Sequence, residues 1–328
     1  MSNRKRKSTA AKQRAKLRQQ RRAAAAAQAG QEPGGAQASQ ATARPQPVRR
    51  PGDRPRKVSK RRRSSRTPWL LIGGVVAVVA VIVVMFLTRT DDTSRGDADP
   101  GSIDKLTSVP AETLEAVGVP AEPSNVNPLP PDTAPVEEGG KPVVLYVGAE
   151  YCPFCAVERW PMVVALSRFG TFTGLESTTS APPPETLPNT PTVTFKDSTY
   201  ASDHIVFSAV ETGDRLGNPL DDPTDFQQRL FATYNVESVT GSSGGIPFVM
   251  IGNRYAWAGS QYDPVVLEDK DFDQIANALT NPDSEVSKEI GGAANYITAM
   301  ICQLTDGQPE DVCSSDVIQQ AQAALPTP

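Results

Sequence analysis

Histidine is nearly absent: His204 stands alone among 328 residues, and cysteine occurs four times, at 152, 155, 302 and 313. One histidine cannot complete a metal site by itself, and only the first cysteine pair has CxxC spacing. A zinc centre made from all four cysteines, or from the CxxC and His204, therefore fits the ligand pattern poorly. Neither metal nor cofactor is expected, and His204 reads as a strand-edge residue. A glycine-rich phosphate loop, an HExxH and a GxSxG are also missing, which leaves nucleotide, metalloprotease and serine-hydrolase chemistry without a starting point.

Residues 1–67 lack aromatic side chains and hold one leucine, Leu17, so they cannot bury enough apolar surface to offset the entropy of ordering. They read as a disordered basic tail. Their 21 Lys and Arg against Glu32 and Asp53 give +19, whereas residues 68–328 hold 12 against 35, or −23. The overall charge of −4 hides this division. A nucleic-acid enzyme with a basic working face is disfavoured for the acidic part, and no nucleic-acid partner is expected. The basic stretch 54–66 is expected to meet anionic lipid, gaining about 1 kcal/mol per basic residue near the surface.

Long apolar runs are scarce too, with one exception. WLLIGGVVAVVAVIVVMFL, residues 69–87, has no charge or amide, and as a helix at ~1.5 Å per residue it spans about 28 Å, the depth of a bilayer core. Residues 68–88 thus read as one transmembrane helix, an uncleaved signal-anchor. The Lys/Arg bias keeps the N-terminus cytoplasmic and sends the C-terminal part outside a cell membrane crossed once. The Pro- and acid-rich stretch 89–140 reads as an extracytoplasmic stalk with one short helix at 110–117, capped by Ser108.

Residues 141–328 are long enough for a core. KPVVLYVG (141–148) reads as a buried parallel strand, and helical spacing begins at Cys152 of YCPFC. A strand follows at 205–211, a helix at 221–235, a hairpin at 244–259 turning on Gly252-Asn253, and helices at 271–280 and 285–303.

This order, with AEYC before the motif and YNV then GIPF after it, resembles the thioredoxin-like superfamily over residues 141–281. The anchor, SRFGTF at 167–172 and the late ANYITAMIC are most similar to a family of membrane-anchored extracytoplasmic proteins described as domain-of-unknown-function 929. The resemblance implies an α/β thioredoxin-like fold with an inserted segment at 171–204 and a C-terminal helical extension at 282–328. It also implies a cis Pro247 beside the CxxC, with Ile246 and Pro247 pairing an extended substrate and Phe154 adding an apolar contact. Many relatives in the superfamily carry an acid six residues before the first cysteine. Tyr146 stands there instead, and Glu158, otherwise a solvated helix residue, is the one substitute nearby.

At a helix N-terminus Cys152 would ionise below the free value of ~8.5 and act as nucleophile, with Cys155 resolving the mixed disulfide. Cys302 and Cys313 read as a structural disulfide, because an even count outside the membrane favours pairing. The expected function is a membrane-tethered thiol-disulfide oxidoreductase acting on extracytoplasmic protein thiols or disulfides and recycled by a membrane redox partner. The alternative is a redox-inactive binding module in which the CPFC pair is itself structural.

Overall fold

A computed structural model describes residues 95–119 and 125–327. The expected tail at 1–67, the span at 68–88 and residues 89–94 and 120–124 of the expected stalk lie outside the described residues. Among the described residues no helix is long and apolar enough to cross a membrane.

The elements run α1 (Pro100–Thr107), α2 (Ala111–Val117), β1 (Asn127–Pro128), β2 (Glu137–Glu138), β3 (Lys141–Gly148) and α3 (Pro153–Leu166). Two short ladders follow, built from β4 (Gly170–Thr173), β5 (Glu176–Thr179), β6 (Pro191–Thr194) and β7 (Thr199–Ser202). After them come β8 (Val206–Glu211), α4 (Asp225–Tyr234), α5 (Glu237–Thr240), β9 (Phe248–Ile251) and β10 (Tyr255–Ala258). A 3₁₀ turn (Pro264–Leu267) leads to α6 (Phe272–Leu279), α7 (Glu285–Leu304), α8 (Glu310–Cys313) and α9 (Asp316–Ala324).

The protein is mixed α/β. β3 lies at the centre of a sheet ordered β1–β10–β9–β3, parallel to β8 on one edge and antiparallel to β9 on the other, with β2 pairing its first two residues. Valine-rich and covered on both faces, β3 alternates strictly, as a strand's period of two requires. Val144 and Tyr146 join the core with α3 and α7, whereas Val143, Leu145 and Val147 join Phe226, Leu230 and Phe231 of α4. The hairpin β9–β10 turns at Gly252, whose φ of 51° suits a residue without a Cβ.

The expected stalk is corrected here. Helices α1 and α2 pack into the main core, with Leu106 and Leu114 at 0% and 1% exposure. Asp99 caps α1 by accepting from Gly101 N–H at 2.7 Å, and Pro100 opens its first turn. Buried Asn295 of α7 closes α2 by donating to the carbonyls of Leu114 and Gly118. Ser108 does not cap α2; it donates to the Asp104 carbonyl of α1. Boundaries at 140/141 and 281/282 therefore do not divide the core, which takes in residues from Leu106 to Leu325. The proline and acid content read as stalk marks helix starts, while Leu106 and Leu114, with Ile103, Val109 and Val119 packed against the core, anchor the segment.

The inserted segment covers α3 and the turn before it. Trp160 donates to the Pro191 carbonyl at 2.9 Å, and Ala181 N–H donates to the Tyr151 carbonyl at 3.0 Å. Within it, Phe172, Phe195 and Tyr200 form an aromatic cluster with Phe207 of β8, with centroids 4.9–6.0 Å apart.

Candidate functional site: the CPFC turn

Strand β3 ends at Gly148 and α3 begins at Pro153, so the intervening turn sets Cys152 at the helix N-cap. Pro153 suits the first helical position, having no N–H to leave unpaired. Cys152 Sγ accepts the Cys155 N–H at 3.2 Å, as a capping oxygen would. The two cysteines are unbonded to each other, at 6% and 0% exposure. Burial opposes ionisation of Cys152, but bonds from the Cys155 thiol and from the Cys155 and Phe154 backbone, with the charge of Arg159, prevail and lower its pKa. Burial, and then Cys152 itself, push Cys155 well up. The turn thus contains one acidic thiol and one reluctant one, three residues apart.

Ile246 and Pro247 lie against this pair. Their peptide bond is cis, and the Cys152 thiol reaches the Ile246 carbonyl at 3.6 Å. Phe154 is half-buried beside the core, and Tyr151 is 37% exposed next to Cys152. Cys302 and Cys313 are placed elsewhere, bonded to one another across the end of α7 and α8. His204 is half-buried between β7 and β8, lining an open cleft of about 560 Å³ with Lys141 and Phe207. Among the described residues no three His, Cys, Asp or Glu side chains converge as metal ligands.

The charged surroundings of the turn are where the sequence reading falls short. Glu158, expected to be solvated, is fully buried and accepts from Trp257 Nε1 at 3.2 Å and Gln261 N–H at 2.8 Å. Burial pushes its carboxyl up to about 8 against the pull of those two bonds. Arg159 is also fully buried. It binds Glu211 through Nε at 2.8 Å and Nη2 at 2.6 Å, and Nη2 donates to the Ala149 carbonyl at 2.8 Å. Glu150, two residues before Cys152, accepts from Thr194 at 2.6 Å and pairs with Arg95. At the position where the thioredoxin-like resemblance leads one to expect an acid, the Tyr146 hydroxyl has no hydrogen-bond partner among the described residues. It lies where a Cβ at Gly148 would collide with it, and burial drives its pKa well above 10. One signal for the buried charges exists in the sequence: α3 is apolar all round, so the adjacent Glu158 and Arg159 have no solvated face to occupy.

The fold and the turn define a mixed α/β protein with a free CxxC dithiol at a helix start. The chain belongs to the family described as Domain of unknown function (DUF929), which residues 132–303 match. No curated protein and no solved structure matches it.

Proposed function

We propose that this chain is a thioredoxin-like thiol-disulfide oxidoreductase, tethered by the 68–88 span and working on extracytoplasmic proteins through Cys152 and Cys155. The observation that carries this reading is the pairing of an acidic N-cap thiol with a buried partner thiol, opposite the Ile246 carbonyl. A strand, a CxxC helix start and the Ile246-Pro247 segment converging on one turn support the thioredoxin-like assignment.

In the reductive direction Cys152 thiolate attacks a substrate disulfide, forming a mixed disulfide and releasing one substrate thiolate, which takes a proton. Cys155 then gives up its proton and attacks Cys152 Sγ, releasing the second substrate sulfur. Two electrons pass to the substrate, two protons follow, and the CPFC pair is left as a disulfide. Oxidation is the reverse, and the membrane redox partner that recycles the pair sets the direction. Ile246 and Pro247 offer backbone to an extended substrate, and Phe154 and Tyr151 offer apolar contact.

The test is Cys155→Ser in the full chain. The variant should stall as a Cys152-linked mixed disulfide with extracytoplasmic proteins, released by reductant. A reduction potential of the CPFC pair between about −270 and −120 mV agrees with exchange. A potential below about −300 mV, with no trapped protein, would favour the binding module with a structural bond.

A further inference from the structure

Arg159 is the buried cation that bonds the nucleophile's own turn. Its Nη2 and the Cys152 N–H donate to one acceptor, the Ala149 carbonyl, over 2.8 and 3.2 Å. The guanidinium therefore lies no farther from the Cys152 amide than those two bonds laid end to end. Arg159 also follows Cys155 by four residues on α3, one helical turn, and its guanidinium carbon stands 5.7 Å from the Tyr146 ring centroid. Nη1 has no hydrogen-bond partner among the described residues, so Glu211 engages only one side of the cation.

We propose that Arg159 is a positioning residue for the CPFC pair: it fastens the turn from Ala149 to Cys152 and supplies a fixed positive charge beside which both thiolates form. The proposal rests on the oxidoreductase reading and explains how the site is kept reactive with a phenol where the thioredoxin-like resemblance leads one to expect an acid. A carboxylate beneath a dithiol gains and loses its charge as pH changes, whereas a guanidinium stays charged throughout. The attraction of Arg159 favours the thiolate at Cys152 and at Cys155 alike.

Six other ionisable groups surround the turn. Tyr146 of β3 and Tyr151 of the turn are pushed up, mainly by burial, and stay neutral. Glu150 of the turn is held by Arg95, which precedes α1, and Glu158 of α3 is held by Trp257 and Gln261. Glu211 of β8 is the one clamped on Arg159 itself, and it opposes the cation's field.

The opposed charges give a test with a sign. In the reduced full chain in detergent, Cys152 alkylation by limiting iodoacetamide is followed against pH by peptide mass. Arg159→Met with Glu211→Met removes both charges at similar volume, a change that buried ion pairs tolerate. It should raise the Cys152 midpoint by about one unit and slow labelling at pH 6 about tenfold. Glu211→Gln alone, which frees the cation, should shift the midpoint down and speed labelling, and Arg159→Lys should keep most of the wild-type rate. If Glu211→Gln fails to fold, the double variant decides. A folded double variant with an unmoved midpoint overturns the proposal, as does a shift of the same sign in both charge variants, which would mean the turn had merely loosened. A wild-type midpoint at or above about 8.5 would remove the activated nucleophile, and Arg159's role with it.

Discussion

The two cysteine pairs sit at opposite ends of their helices. Cys152 caps the N-terminus of α3, where unpaired N–H groups and the positive end of the dipole stabilise a thiolate. Cys302 is in the last turn of α7 and Cys313 ends α8, where the carbonyl end disfavours one. The first pair is free and three residues apart, while the second is bonded with a sequence separation of 11. Around the first lie a buried Arg159–Glu211 pair and buried Glu150; around the second are Gln303, exposed Asp306, Ser314 and Gln319, with no buried ion pair among the described residues. Burial alone does not distinguish the free pair from the bonded one, since all four are below 7% exposure. Helix end and nearby charge do.

The sharpest way to break this contrast is to exchange the losses. Cys152→Ser should reduce turnover of a model peptide disulfide to the uncatalysed level, and Cys302→Ser with Cys313→Ser should leave turnover near wild type. Abolished turnover in the second variant, with an unchanged fold, would make the pairs functionally alike. Stability should show the opposite pattern. Removing the Cys302–Cys313 bond should cost on the order of 2 to 3 kcal/mol in denaturant unfolding by the chain-entropy estimate, and Cys152→Ser far less. Equal losses from the two variants would show that the CPFC pair also holds the fold.

How far such regions can be read from sequence depends on how far away their partners are. The strand at 141–148 coincides with β3, and 285–303 falls within one residue of α7, because alternation and helical spacing are local properties. The CPFC turn was legible for the same reason, as a strand end, a proline and a helix start within one short window. The apolar helix around Arg159 signals its burial but not its partner: Glu211 is 52 residues on, and a carboxylate that far away leaves no trace in the helix's own pattern. The segment at 95–119 misled for a different reason, since proline and acids cap helices as readily as they build linkers.

Glu158 gives the smallest and most specific test, because it belongs only to the charged surroundings of the first pair. Burial raises its carboxyl from an ordinary 4.5 to about 8. Between those values the folded protein keeps a proton that the unfolded chain has released. Its contribution to stability is therefore complete below about pH 4.5, falls as pH rises, and levels off above about pH 8, with a slope of about 1.4 kcal/mol per pH unit. Glu211, also raised by burial, adds to the same trend. In Glu158→Gln the fall of stability with pH should lessen by one proton's share, and in the Cys302→Ser, Cys313→Ser protein it should match wild type even though the whole curve lies lower. Denaturant midpoints taken from pH 5 to 8 measure both. An unchanged slope in Glu158→Gln would mean that Glu158 ionises as a solvated carboxylate does, and that the charge around the CPFC turn is less sheltered than its burial indicates.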